Sequence, residues 1–134
     1  TTIGHGLVAF DMDRDGDLDL LITPSNGSPR LYRNDTPPTN HWLTVSLDDP
    51  SAPGNNWGDG ARVEVIAADN GDPVVGWITT GGSYETQKPP VFHVGLGDHD
   101  RAIARVEVFW PGEEEPQVLE NVAVDQQLVV RRDG

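Results

Sequence analysis

The chain has 134 residues, 36% hydrophobic and 23% charged, the size and composition of one folded domain or of one domain with a short attached piece. Its 22 Asp and Glu against 9 Lys and Arg give a net charge of −13, which makes nucleic acid and anionic membrane faces poor partners and cations natural ones. The absence of cysteine excludes a disulfide-stapled scaffold, and no apolar stretch approaches the roughly 18 to 20 residues that cross a bilayer, so no direct membrane insertion is expected.

The start, Thr1-Thr2-Ile3-Gly4, has neither a Met nor an apolar leader. We expect a processed chain or a fragment, whose location must be inferred indirectly. Gly6 to Phe10 is a short apolar run, followed by an aspartate cluster and then by "LDLLITP", Leu18 to Pro24. This pattern predicts two short strands joined by an acidic loop. "SNGSPR" supplies turn residues, and "LYRND" predicts a third short strand ending near Asp35. "TPPTN", residues 36–40, carries two prolines that cannot donate to a ladder, and the boundary between two structural units is expected there, dividing residues 1–36 from residues 40–132.

From His41 the strands lengthen. "HWLTVSLD" alternates Leu43, Val45 and Leu47 with Trp42, Thr44 and Ser46, the signature of a half-buried antiparallel strand. "ARVEVIAA" (61–68), "VVGWITT" (74–80), "VFHVGL" (91–96), "IARVEVFW" (103–110), "PQVLENV" (116–122) and "QQLVVRR" (126–132) continue the series, separated by turn clusters rich in Gly, Asp and Pro. No segment has helical periodicity over 10 residues or more. The expected fold is therefore all-β, an antiparallel β-sandwich or barrel preceded by an acidic-loop hairpin.

The acidic loop "DMDRDGDLD" places Asp11, Asp13, Asp15, Asp17 and Asp19 at alternate positions. Like charges this close repel unless a cation neutralises them. Ca²⁺ suits the pattern, because it takes six to eight oxygens and tolerates irregular geometry, whereas Mg²⁺ prefers strict octahedra and retains waters. In the expected site Asp11, Asp13, Asp15 and Asp19 are side-chain ligands, Gly16 allows the sharp turn, and Asp17 contributes its backbone carbonyl. An EF-hand is rejected, since its loop needs Glu at the twelfth position and Ile22 stands there, between strand-like flanks. The expected role is a structural clamp on the hairpin.

These residues also carry a resemblance. "GHGLVAFDMDRDGDLDLLITPSNGSPRLYRND", residues 4–35, resembles an FG-GAP/VCBS repeat, the integrin-α-type propeller blade with a Ca²⁺ loop between strands. The resemblance places the repeat's ligands on Asp11, Asp13, Asp15 and Asp19 with the carbonyl of Asp17, and implies the last piece of a propeller. From Asn40 to about Arg132, "NHWLTVSL", "GARVEV", "GGSYETQKPPVFHVGLG" and "VEVFWPGEEEPQVLENVAVDQQLVV" resemble an ASPIC/UnbV domain, the C-terminal module of cartilage-acidic-protein-like proteins. One departure is "FWPG", where Gly112 follows Pro111 directly and Glu113 to Glu115 fill the turn. The resemblance implies an extracellular, periplasmic or cell-surface module for Ca²⁺-dependent adhesion or scaffolding; it implies no reaction.

Other residue sets are weaker. Ser83, His93 and Asp98 supply triad types without a nucleophile elbow, and the four histidines show no zinc spacing. Asp98, His99 and Asp100 read as a solvated hairpin tip rather than a second cation site. Trp42, Trp77 and Trp110 lie in strands, where core packing is expected. Trp57, in a polar loop, is a candidate ligand contact, together with Tyr84, Gln87 and His93. Two alternatives to an interaction module follow: a carbohydrate-binding module, or an accessory or enzymatic domain with its site near the Gly81–Gln87 loop. The expected partner is a protein or a glycan, and open strands over residues 6–33 would allow pairing with a second copy.

Overall fold

The structure, a computed structural model, describes residues 4–37, 39–82 and 86–133. Ten strands and no helix occur among the described residues. The chain divides into two compact units, one comprising Thr1–Pro38 with Thr80–Pro89 and the other Thr39–Thr79 with Pro90–Gly134.

The first unit contains β1 (Gly4–Phe10), β2 (Asp19–Pro24) and β3 (Arg30–Tyr32), an antiparallel sheet in the order β1-β2-β3. Phe10 pairs with Asp19 and Leu7 with Ile22, so the acidic segment is the connection of a β-hairpin. Strands on both flanks bear out the rejection of an EF-hand. Small hairpin sheets bury little, and Leu7, Leu20, Leu31 and Tyr32 remain exposed.

The second unit is a two-layer sandwich. One layer, in the order β10-β4-β7, contains β4 (His41–Asp48), β7 (Val91–Gly97) and β10 (Gln126–Arg131). The other, β6-β5-β8-β9, contains β5 (Arg62–Ile66), β6 (Val74–Trp77), β8 (Ile103–Phe109) and β9 (Gln117–Val122). Alternation decides which side chains face inward. Leu43, Val45, Leu47, Val94 and Val130 from one layer meet Val63, Val65, Val106, Val108 and Val122 from the other, with Ile78, Ile103 and Trp110 completing the core. All seven strands predicted after His41 form, and the layers stay open instead of closing into a barrel.

Two features depart from the sequence reading. First, β10 runs parallel to β4, Leu128 beside Val45 and Val130 beside Leu47, in an otherwise antiparallel sheet. Asp125 sets this register: its amide donates to Trp42 O at 2.8 Å, while its carboxylate accepts from Trp42 N at 3.2 Å and pairs with His41 Nδ1 at 2.7 Å. Second, core packing holds for Trp110 alone among Trp42, Trp77 and Trp110, and Trp110 stands just past the end of β8. Trp110 is buried, Trp42 is half-buried and stacks on His93 with ring centroids 6.1 Å apart, and Trp77 is 56% exposed. The reason is parity on an edge strand: Ile78 is fully buried and a Cβ on Gly76 would overlap the Phe92 ring, so position 77 between them points outward.

Candidate metal site

The hairpin between β1 and β2 brings Asp11, Asp13 and Asp15 together, with one carboxylate oxygen of each lying within 4.8 Å of the others. Among the described residues these form the one such group of three or more acidic or histidine side chains. Backbone shape causes this convergence. Arg14 has φ of 65° and Gly16 of 97°, and these left-handed residues curl the chain around the aspartates. Asp11 holds the curl from inside, its Oδ1 accepting from Asp15 N at 3.2 Å and its Oδ2 from Gly16 N at 3.1 Å. Asp17 N donates to Asp15 Oδ1 at 2.9 Å.

Asp19 takes a different position from the other four. It is 1% exposed, and its two oxygens accept from Met12 N at 2.9 Å and Asn34 N at 2.8 Å. These two amide donors hold its carboxyl below the usual carboxylate range. Asp19 therefore ties the start of the loop to the segment after β3, a function that its spacing alone did not reveal. Asp13 has the opposite environment: partial desolvation and the charges of Asp15 and Asp19 push its carboxyl up, while Arg33, 3.6 Å away, pulls it down. Arg33 also pairs with Asp35 at 2.5 Å. Its position beside the loop was not anticipated, since nothing in the local sequence links residue 33 to residue 13.

The donor set is all oxygen and carries high negative charge, which is the chemistry of a hard divalent cation. Oxygens sharing one Ca²⁺ at 2.3–2.6 Å lie no more than about 5 Å apart, so the separation of the three carboxylates is compatible with one shared ion. Asp11, Asp13 and Asp15 are the side chains that would hold it.

The other candidate residues lie elsewhere. His93, on β7, shares a hydrogen bond with Thr44 Oγ1 at 3.0 Å across the register and stacks on Trp42, the setting of a sheet residue rather than a base. Gln87 forms an isolated bridge with Gly81, and Lys88 N donates to Thr80 O at 3.0 Å. Tyr84 and Ser83 lie outside the described residues. Asp98, His99 and Asp100 line an open depression of about 490 Å³ with Asp69, Arg101 and Asn121, and do not converge as the hairpin aspartates do. Trp57 is 48% exposed on a built loop: Asn55 Oδ1 accepts from Asp59 N at 2.8 Å, Asn55 Nδ2 donates to Asp59 O at 3.0 Å, and Gly58 N donates to Asn55 O at 3.0 Å.

Fold and site together define an all-β module, a seven-stranded sandwich accompanied by a three-stranded sheet with an acidic hairpin loop. Residues 51–134 match the family described as ASPIC and UnbV, and the chain belongs to this family. It is also similar to cartilage acidic protein 1 of Mus musculus, 34% identical over 112 residues, which covers 81% of this chain. That similarity is longer than the family match and so extends upstream of residue 51. The chain spans 16% of the length of this relative. Among the described residues, no helix is long and apolar enough to cross a membrane.

Proposed function

We propose that the chain is a calcium-binding, extracellular or cell-surface interaction module in which Ca²⁺ clamps the acidic hairpin. The convergence of Asp11, Asp13 and Asp15 on a loop already curled by Arg14 and Gly16 is the observation that supports this most strongly. Three carboxylates at such separations repel, and the Asp13 carboxyl is pushed up first by desolvation and then by the charges of Asp15 and Asp19, a charge that a divalent cation would neutralise. Asp19 completes the proposed site by anchoring the loop, and Asp17 serves through its carbonyl. The FG-GAP/VCBS likeness of residues 4–35 supports the same reading, as does the order of the β1-β2-β3 sheet around the loop.

An extracellular location is supported by similarity to a protein named for cartilage. An interaction role is supported by the apolar side chains that the first sheet leaves exposed, Leu7, Leu20, Leu31 and Tyr32. A protein partner or a second copy is the occupant proposed there. Calorimetric titration with Ca²⁺ tests the clamp: one site with a rise in melting temperature is the expected result. Absence of heat and of any thermal shift at millimolar Ca²⁺ would overturn it.

A further inference from the structure

The two most exposed aromatic residues described in the sandwich are Trp57, on the loop before β5, and Trp77, on the edge strand of its four-stranded layer. Trp77 projects from the edge strand β6, opposite Arg62 of β5, which in turn lies opposite Phe109 of β8. The Arg62 guanidinium lies 3.8 Å from the Phe109 ring centroid and also pairs with Glu64. These residues form one cross-strand row on the outer face, ring, planar cation, ring. The loop that carries Trp57 returns beside this row: Gly60 N donates to Ile78 O at 2.8 Å, and Ile78 N to Ala61 O at 2.9 Å. Trp57 and Trp77 are 48% and 56% exposed. The Asn55 clamp and the close approach of Gly58 to Leu47 and Trp110 fix the backbone that carries the first, and strand parity sets the face from which the second projects.

We propose that Trp57 and Trp77 form a binding platform for a neutral oligosaccharide. A pyranose has an apolar face of C–H groups and a hydroxyl rim, and it needs a rigid ring to stack on with polar groups beside it. Here Asn56 and Asp59 lie close to Trp57 in the chain, and Arg62, which pairs with Glu64, stands opposite Trp77 across the strands. Charge selects against anionic glycans, because the chain carries −13 and the Arg62 cation is already paired with Glu64. A protein interface fits less well, since its centre is depleted of charge and this row is interrupted by an ion pair. A backbone ordered before binding lowers the ordering cost of a weak ligand. The platform belongs to the sandwich, and it does not rest on the calcium reading.

The test is fluorescence and calorimetric titration of the chain with neutral hexasaccharides of β-linked glucose, N-acetylglucosamine and mannose, with and without a chelator. Saturable binding of at least one, unchanged by the chelator, is expected. Trp57→Ala and Trp77→Ala should each weaken it about tenfold or more, with the melting temperature retained because both side chains are exposed. A heparin hexasaccharide should not bind. No binding of any neutral hexasaccharide at millimolar concentration, or binding that survives the double Trp57→Ala, Trp77→Ala variant, overturns the proposal. Loss of binding on chelation does so too.

Discussion

A methyl group added at Gly58 would stand 2.8 Å from Leu47 Cδ1 and 3.2 Å from the Trp110 ring, at a backbone φ of +64°. Only glycine satisfies both conditions, so the loop after β4 lies on the core at this point and the preceding side chain, Trp57, is left outside. Gly58→Ala should destabilise the sandwich by about 1–3 kcal/mol. The measurement is urea unfolding, where a lower midpoint at unchanged slope is expected and an unchanged midpoint would show that the loop relaxes without cost. Gly58 could be read from the sequence as a turn residue, but the contact with Trp110 could not, since 52 positions separate them in the chain.

Among the elements, the acidic hairpin divides its aspartates by task. Asp11 and Asp15 meet Asp13, while Asp19 spends both oxygens on backbone amides. The clamp proposed for Ca²⁺ therefore implies a graded response. Asp11→Asn and Asp13→Asn should abolish the Ca²⁺-induced rise in melting temperature, and Asp17→Asn should keep most of it, because a carbonyl ligand survives the change. Equal losses in all three variants would show that net charge, not position, governs binding. The same element carries the self-association proposal. Within the described part of their sheet β1 and β3 pair only with β2, and Leu31 on β3 is 46% exposed. The mass measured by light scattering should rise with concentration for the native chain and stay monomeric for Leu31→Lys, since charge blunts an open edge. A native chain that is monomeric at every concentration would refute pairing through these strands.

In the larger unit, the end of the described chain is fastened back onto the sandwich through charge. Asp49, 2% exposed, accepts from Ser51 Oγ at 2.6 Å and Ser51 N at 3.0 Å, and takes a bond from Arg132 Nη1 at 2.7 Å. Arg132 also pairs with Glu113 and lies 5.6 Å over the Trp110 ring, whose Nε1 donates to Gln117 at 2.9 Å. The Ser51 hydroxyl first, and then Arg132, hold the Asp49 carboxyl below its usual range. A depressed carboxyl contributes stability that is present above the unfolded value, about pH 4, and is lost as the pH falls through the folded one. Thermal unfolding should therefore lose a component of stability below about pH 4 in the native chain. Asp49→Asn should flatten that component while lowering stability near neutral pH by about 2 kcal/mol. An unchanged acid profile in the variant would exclude Asp49 as its source.

By itself, the sequence determined what depends on short range. Alternation of side chains within each segment was enough to place all seven strands of the sandwich, because burial on one face of a strand imposes a period of two wherever its partner lies. The same local logic, three aspartates at alternate positions followed by glycine, brought out Asp11, Asp13 and Asp15. Pairing across long separations was decided only in the folded chain. Alternation reads alike in a parallel and an antiparallel strand, so the placement of β10 beside β4 awaited Asp125, 83 residues from the Trp42 amide it binds. Trp77 had the composition of a core residue and became a surface one, because β6 is an edge strand whose inward positions were already taken by Gly76 and Ile78. Asp19 had the spacing of a ligand, and its second task as an anchor emerged only in the folded chain, because the amide of Asn34 reaches it only once β3 has folded back along β2.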